Sequence, residues 1–283
     1  MSEDLDSLVA PRPDWTEKDI CLLLPQYKQT NPLTLFSLLA MFDRTRMGAI
    51  LEYGDAFIIH TRNKLASRFL TLGFEWALFV DDDMILPCGN AEWFASVTRM
   101  RLSPERAGLH TINRLRSHKK TLVGGLYFHR SEKGRALFAE ARDNPELIAS
   151  IRAGKIGGIR PTGWVATGCM LIHRQVLLDI QRQFPHLAPR GDSKLWQFFS
   201  PASDVLFPAI EKAEKALADG LLEDAQAILA DANKLAKSIS IGSGEDVLFC
   251  RRARQAGHMP HVDLDLQPGH VGSCVYGASN TTG

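Results

Sequence analysis

The chain has 283 residues, 45% of them apolar and 23% charged, with a formal net charge of +1. That length buries a core as one large domain or two small ones, and the balanced charge argues against a general binder of nucleic acid or membrane surfaces. The five cysteines (Cys21, Cys88, Cys169, Cys250, Cys274) form no CxxC pair, which fits neither a zinc knuckle nor a disulfide framework and points to a reducing compartment.

Residues 1–17 read as a loose, acidic lead-in without the basic and apolar regions of a signal peptide. No apolar run reaches membrane-spanning length, so the expectation is a cytoplasmic protein without a membrane span. "DICLLLPQY" (19–27) is a buried-strand pattern stopped by Pro25, and "NPLTLFSLLAMFDRT" (31–45) a helix with Asn31 as N-cap and Pro32 in its first turn. A strand is expected at 56–60, then a helix over 61–73 with Leu65, Phe69 and Leu72 on one face and Gly73 as its stop. "FEWALFV" (74–80), "KTLVGGLYF" (120–128) and "ATGCMLIHR" (166–174) are further buried strands. Strand–helix–strand alternation of this kind predicts an α/β layered fold with a largely parallel sheet, in which ligands sit beyond the carboxyl ends of strands.

Two stretches break the alternation. Residues 131–160 are polar and helix-prone, the pattern of a loop followed by a helix. Residues 209–237 predict two helices divided by Gly220, with Leu221, Leu222, Ala225, Ile228, Leu229, Ala232 and Leu235 on one face. That insertion either packs on the core beside an acceptor cleft or docks a partner, including a second copy in a homo-oligomer.

The chemistry concentrates at "WALFVDDDMILP" (76–87), where three carboxylates end an apolar strand. In extended backbone, residues two apart project to one side, so Asp81 and Asp83 converge while Asp82 points elsewhere. Two converging carboxylates make a hard oxygen site for Mg²⁺ or Mn²⁺ completed by water and substrate phosphates; the alternative is a turn whose aspartates cap the next helix. Near the other end, "GSGEDVLFCRRARQAGHMPHVDLDLQPGHVG" (242–272) opens a helix at Glu245 and Asp246. Val247, Leu248 and Ala253 read as its apolar side, Arg251, Arg252 and Arg254 as its polar side, and Gly257 as its stop. The "GED" triplet is either a helix start favoured by the helix dipole or a functional acid pair. An alternating strand, "HVDLDL", then precedes His270 in a glycine-flanked loop, where its imidazole is available as a ligand.

Taken in order, "HTRNKLASRFL", "WALFVDDDM", "VGGLYF", "TGCMLIHRQVL" and "GEDVLFCRRARQAGH", with the later "GH", resemble glycosyltransferases of the GT-A fold, the family-2-like nucleotide-sugar enzymes. The resemblance covers roughly residues 19–180 and 241–272. It implies a single catalytic domain over 1–283 with a Rossmann-like, mostly parallel sheet and a helical insertion near 209–237. It also implies Mn²⁺ or Mg²⁺ as cofactor and a nucleotide-diphosphate sugar donor, a UDP-sugar foremost. Asp81 then lies near the donor ribose and shares the metal with Asp83, and Asp82 belongs to the same donor-facing motif. "TRN" resembles an "ARN" element that makes Arg62 a contact for base or phosphate. "LLPQYKQ" resembles a "PxYN" loop that puts Pro25, Gln26 and Tyr27 around the nucleobase, although "QYKQ" stands where "TYNR" is usual. The "ED" pair, Glu245 and Asp246, supplies the base in Asp246, and His270 corresponds to a late metal-binding histidine. That histidine also accompanies retaining members, so stereochemistry stays open.

Physically, a cation held by Asp83 and His270 neutralises charge on the leaving nucleotide, and Asp246 takes the acceptor proton if the enzyme inverts. Gly163, Trp164 and Gly168 of "ATGCM" read as the floor of a sugar pocket, with Trp164 as a core aromatic the alternative. The sequence does not identify the acceptor; a glycan, a protein and a modified nucleobase are the candidate classes. A sugar nucleotidyltransferase would share the sheet and the aspartates, yet "LLPQYKQTNP" has no glycine for a triphosphate loop. A non-catalytic interaction protein on the same scaffold is the third reading.

Overall fold

The computed structural model describes residues 19–276 apart from 28, 56, 130–135, 142–143, 202, 243 and 273–274. In chain order the elements are β1 (Ile20–Gln26), α1 (Pro32–Met41), β2 (Met47–Tyr53), α2 (Ile58–Thr71), β3 (Trp76–Val80), β4 (Met84–Ile85) and α3 (Ala91–Thr98). They continue with α4 (Pro104–Ala107), α5 (Thr111–Ser117), β5 (Leu122–Gly125), α6 (Pro145–Arg152), β6 (Ile159–Pro161), β7 (Cys169–His173) and α7 (Arg174–Gln183). The last are α8 (Ser203–Ala218), α9 (Leu222–Gly242), α10 (Glu245–Gln255), β8 (His261–Asp263), β9 (Gly269–Val271) and β10 (Val275–Tyr276).

Seven strands form one sheet in the order β2-β1-β3-β7-β5-β8-β6. Pairing is parallel at β2–β1, β1–β3 and β5–β8 and antiparallel around β7 and β6, so five of the seven strands run one way. The result is an α/β, Rossmann-like sheet with helices against it. Alternation along β1 explains the two-sided burial. Cys21 and Leu23 face α2 through Leu65 and Phe69, while Ile20, Leu22 and Leu24 face α1 through Leu38 and Met41. Cys21, Cys169 and Cys250 lie within these layers, and burial pushes their thiols up to about 12, leaving them unreactive. None of the described helices is long and apolar enough to cross a membrane.

Several expected boundaries move for local reasons. No strand occupies the described residues 57–60 of the segment expected at 56–60; β2 lies earlier, at Met47–Tyr53, and α2 begins at Ile58. The Asp55 carboxylate accepts the Phe57 amide at 3.0 Å, turning the chain just before the helix. Apolar Ile58 and Ile59 belong to the helix start, not to a strand. The "HVDLDL" strand stops at Asp263, whose side chain accepts the Asp265 amide at 3.0 Å and makes the turn itself. Asp263 is fully buried rather than outward-facing, held by Arg114 at 2.6 Å and His118 at 2.7 Å.

The insertion is a hairpin of α8 and α9 that turns at Gly220, which has φ +77°. Its expected single apolar face divides. Ala225 is buried against Ala213 and Ala216 of α8 and Ala232 is buried as well, whereas Leu221, Leu222, Leu229 and Leu235 are exposed. Small alanines allow two helices to approach closely, which leaves the flanking leucines outside the seam. Arg252 was placed on the polar side of α10 by periodicity, yet it is fully buried. Its guanidinium donates to the carbonyls of Gln197, Phe198 and Ser200 at 2.7, 2.7 and 2.9 Å and to Asp204 at 2.8 Å. Asn63 of α2 grips the same segment, donating to Ser200 at 2.8 Å and accepting from the Phe199 amide at 2.9 Å. One short loop thus bolts α2 to α10.

Candidate active site

β1 and β3 run side by side and end together, which puts Gln26 and Asp81 on the same rim. Beyond the carboxyl ends of these parallel strands lies a pocket of about 790 Å³. It is lined by Pro25, Gln26, Tyr27, Arg62, Asp81, Asp82, Asp83, Trp164, Glu245, Asp246 and His270, residues drawn from both ends of the chain.

The three aspartates have three different jobs. The Asp81 carboxylate faces Arg62, accepting from Nη2 at 2.8 and 3.1 Å. Asp82 ties down the loop after β1: its Oδ2 accepts the Tyr27 amide at 3.3 Å and its carbonyl accepts the Asn31 amide at 2.8 Å. Asp83 faces His270, with Oδ1 3.5 Å from Nε2. The structure therefore turns Asp81 toward an arginine instead of pairing it with Asp83.

His270 is not in a loop, as glycine flanks led one to expect; it sits in β9, paired antiparallel with Met84 of β4. The Asp83 carbonyl accepts the Val271 amide at 2.8 Å and completes that alignment. His270 Nδ1 lies 2.8 Å from the Phe128 carbonyl, which accepts only, so Nδ1 carries a proton and, whenever the ring is neutral, Nε2 presents a lone pair toward Asp83. Two acceptors aimed at each other accommodate a shared proton or cation. This donor set, one carboxylate and one imidazole with its tautomer fixed from behind, fits Mn²⁺ or Mg²⁺. Among the described residues no three His, Cys, Asp or Glu side chains form a ready-made cage, so water and substrate oxygens would complete the shell.

Arg62 is 3% exposed at the centre of the other half of the pocket. Its Nη1 donates to Glu245 and, at 3.2 Å, to Asp246. Burial acts against its charge, but Asp81, Asp246 and Glu245 outweigh that and hold its pKa above the ordinary arginine value. Four of its contacts thus go to carboxylates, where a base or phosphate contact was expected. Asp246 also accepts the Thr167 hydroxyl at 2.7 Å. Burial pushes its carboxyl up to about 6; Arg62 and Thr167 oppose the rise, and the charges of Glu245 and Asp81 add to it.

Tyr127, which sequence reasoning missed, joins the two halves. Its hydroxyl accepts the Gly168 amide at 2.8 Å, and its ring stands edge-on to His270 at 5.5 Å. Burial, then the charges of Asp81 and Asp246, push its pKa well above the ordinary phenol value, so it stays protonated. Gly168 lies behind this wall and not on the pocket floor. A Cβ there would fall 2.5 Å from the Tyr127 hydroxyl and 3.1 Å from Asp81 Oδ2. Trp164 both lines the pocket and packs against the core, so the two readings of that residue hold together.

No protein-family model matches the chain, and no curated protein matches it. Among solved structures it is similar to the crystal structure of A197 from STIV, with a TM-score of 0.47 and 11% identity, over 89% of this chain and 85% of that one.

Asp55, Ile58, Thr61, His129 and Leu137 also line the pocket and went unforeseen. Asp55 had a usable signal, a lone acid between β2 and α2 in the same rim position as Asp81. Tyr127 had none, because "GGLYF" reads only as a buried strand. Among the described residues, six carboxylates line the pocket (Asp55, Asp81, Asp82, Asp83, Glu245, Asp246) against the single guanidinium of Arg62. Such a cavity repels an anion unless a cation accompanies it.

Proposed function

We propose that the protein is a metal-dependent glycosyltransferase of GT-A type, moving a sugar from a nucleotide-diphosphate donor, a UDP-sugar foremost, to an acceptor hydroxyl. The observation that carries this reading is the convergence of the β1 loop, the three aspartates, the Glu245–Asp246 pair and His270 in one acidic pocket. The charge count supports it as well. Among the described lining residues a diphosphate would meet six carboxylates and one arginine, a setting that favours its arriving with a divalent ion. A nucleotidyltransferase needs basic groups for a triphosphate, and Arg62 is already surrounded by carboxylates.

Asp83 and His270 would hold Mn²⁺ or Mg²⁺, which when bound supplies Lewis acidity and a template for the diphosphate. The Phe128 carbonyl keeps His270 in the tautomer that leaves Nε2 available. Asp82 holds the Tyr27 backbone and thereby the loop at Pro25–Tyr27, positioned for the nucleobase. Asp246, more basic than an ordinary aspartate yet ionised at neutral pH, accepts the acceptor hydroxyl proton. Thr167 and Arg62 orient that carboxylate from behind. Trp164 offers an apolar indole face to the sugar.

Calorimetry with nucleoside diphosphates, with and without Mn²⁺, tests the reading. Binding that requires Mn²⁺ and disappears in Asp83→Ala supports it. Metal-independent binding, or unchanged affinity in Asp83→Ala, refutes it.

A further inference from the structure

Among the described residues the sheet ends at β2, and Glu52 is the one charged side chain within that edge strand. Among the described residues no strand lies on its far side. Natural edges are blunted by lysine, proline, a bulge or short length. β2 has seven residues, "MGAILEY", with neither lysine nor proline. Its register with β1 is unbroken from Met47 to Tyr53, so it carries no bulge.

The same strand leaves an apolar face open. Leu22 pairs with Ala49 and Leu24 with Leu51, so Met47, Ala49, Leu51 and Tyr53 share the side of the sheet on which α1 packs over β1. Leu51 is 53% and Tyr53 70% exposed. α1 adds Leu35 and Leu39 on that side of the molecule, at 49% and 64% exposure. Arginines 44 and 46 precede the strand, and Glu52 and Asp55 close it.

We infer that β2 is the docking edge for a second copy of this chain, paired antiparallel about a two-fold axis near Ile50. A two-fold axis across an edge demands antiparallel pairing, and the pattern is self-complementary in that sense. Met47 meets Tyr53 of the second copy and Ala49 meets its Leu51, an apolar ladder on the α1 face. In that antiparallel arrangement the basic end of one strand, with Arg44 and Arg46, lies beside the acidic end of the other, with Glu52 and Asp55. Parallel pairing would instead set arginine against arginine. The pairing joins two sheets into one and covers the open leucines and tyrosine.

Sedimentation equilibrium of the full chain in the tens of micromolar tests this. The wild type is expected at twice the 31.4 kDa chain mass. Leu51→Lys with Tyr53→Lys, both on exposed positions, is expected to weaken self-association by about tenfold or more while the circular-dichroism spectrum stays as in the wild type. Leu222→Lys with Leu229→Lys, on the exposed side of α9, should leave the mass unchanged. A monomeric wild type overturns the inference, as does a mass climbing past the dimer. Dissociation by the α9 pair and not by the β2 pair would overturn it too, and would assign the interface to the hairpin.

Discussion

Replacing Arg62 with methionine removes the one guanidinium among three carboxylates while keeping much of the side-chain volume. Asp81, Glu245 and Asp246 are 25%, 22% and 21% exposed at their side chains, so water offsets little of the lost pairing. Taking one partner from a buried ion pair costs about 3–5 kcal/mol. For a chain of this size that is a fall in Tm of about 6–20 °C. The loss should also depend on pH, and its sign follows from Asp246. With a folded pKa of about 6, above the ordinary aspartate value, the native state binds the proton more tightly than the unfolded chain does. Stability from this group therefore falls as pH rises through the window from about 4 to about 6. Removing Arg62 deletes the largest influence opposing that rise, so Asp246 moves further up and the window extends. Melting of wild type and Arg62→Met by circular dichroism should show a smaller gap near about pH 4, where Asp246 is protonated, and a wider gap near about pH 8. Arg62→Lys should recover part of the loss at high pH, since it restores charge without the bidentate geometry. A gap equal at both ends of the pH range would refute the charge-cluster reasoning.

Gly168→Ala should lower stability by about 1–3 kcal/mol through overpacking against Tyr127 and weaken Mn²⁺-dependent nucleotide binding, because the same Cβ crowds Asp81; calorimetry and melting curves check both. Asp246→Asn should keep donor affinity but cut turnover by about 10²-fold or more, and wild-type turnover should decline as pH drops below about 6; near-normal turnover in the variant would reduce the acid pair to a helix start. His270→Ala should weaken Mn²⁺ and nucleotide binding together, read by titration of each, while Asp246→Asn leaves the metal untouched.

The acid-ended strand, the buried strands and the hairpin insertion were legible because each rests on local pattern: apolar runs, periodicity, a glycine stop. What local pattern misassigned was burial of charge. Arg252 and Asp263 occupy positions that periodicity assigns to solvent, and each is buried because partners far along the chain satisfy it. The 56–60 segment failed for a smaller reason, since apolar residues at a helix start resemble a strand until the Asp55 turn is known. At the site, the residue types pointed to a cation, but only tertiary geometry separates the partners of Asp81, Asp82 and Asp83. Tyr127 was invisible because its role depends on what lies against a strand residue, not on the strand itself.

The pairing of β4 with β9 has a consequence for how the protein comes into being. Asp83 emerges in the first third of the chain, whereas His270 arrives only near its end, and the short strands β4 and β9 bring the two together. Contacts of such long separation form late, after the intervening loop entropy has been overcome. A growing or partly folded chain therefore carries its aspartates without the histidine, and the Asp83–His270 pair closes as one of the last acts of folding. Metal affinity of this pair would then report completion of the fold.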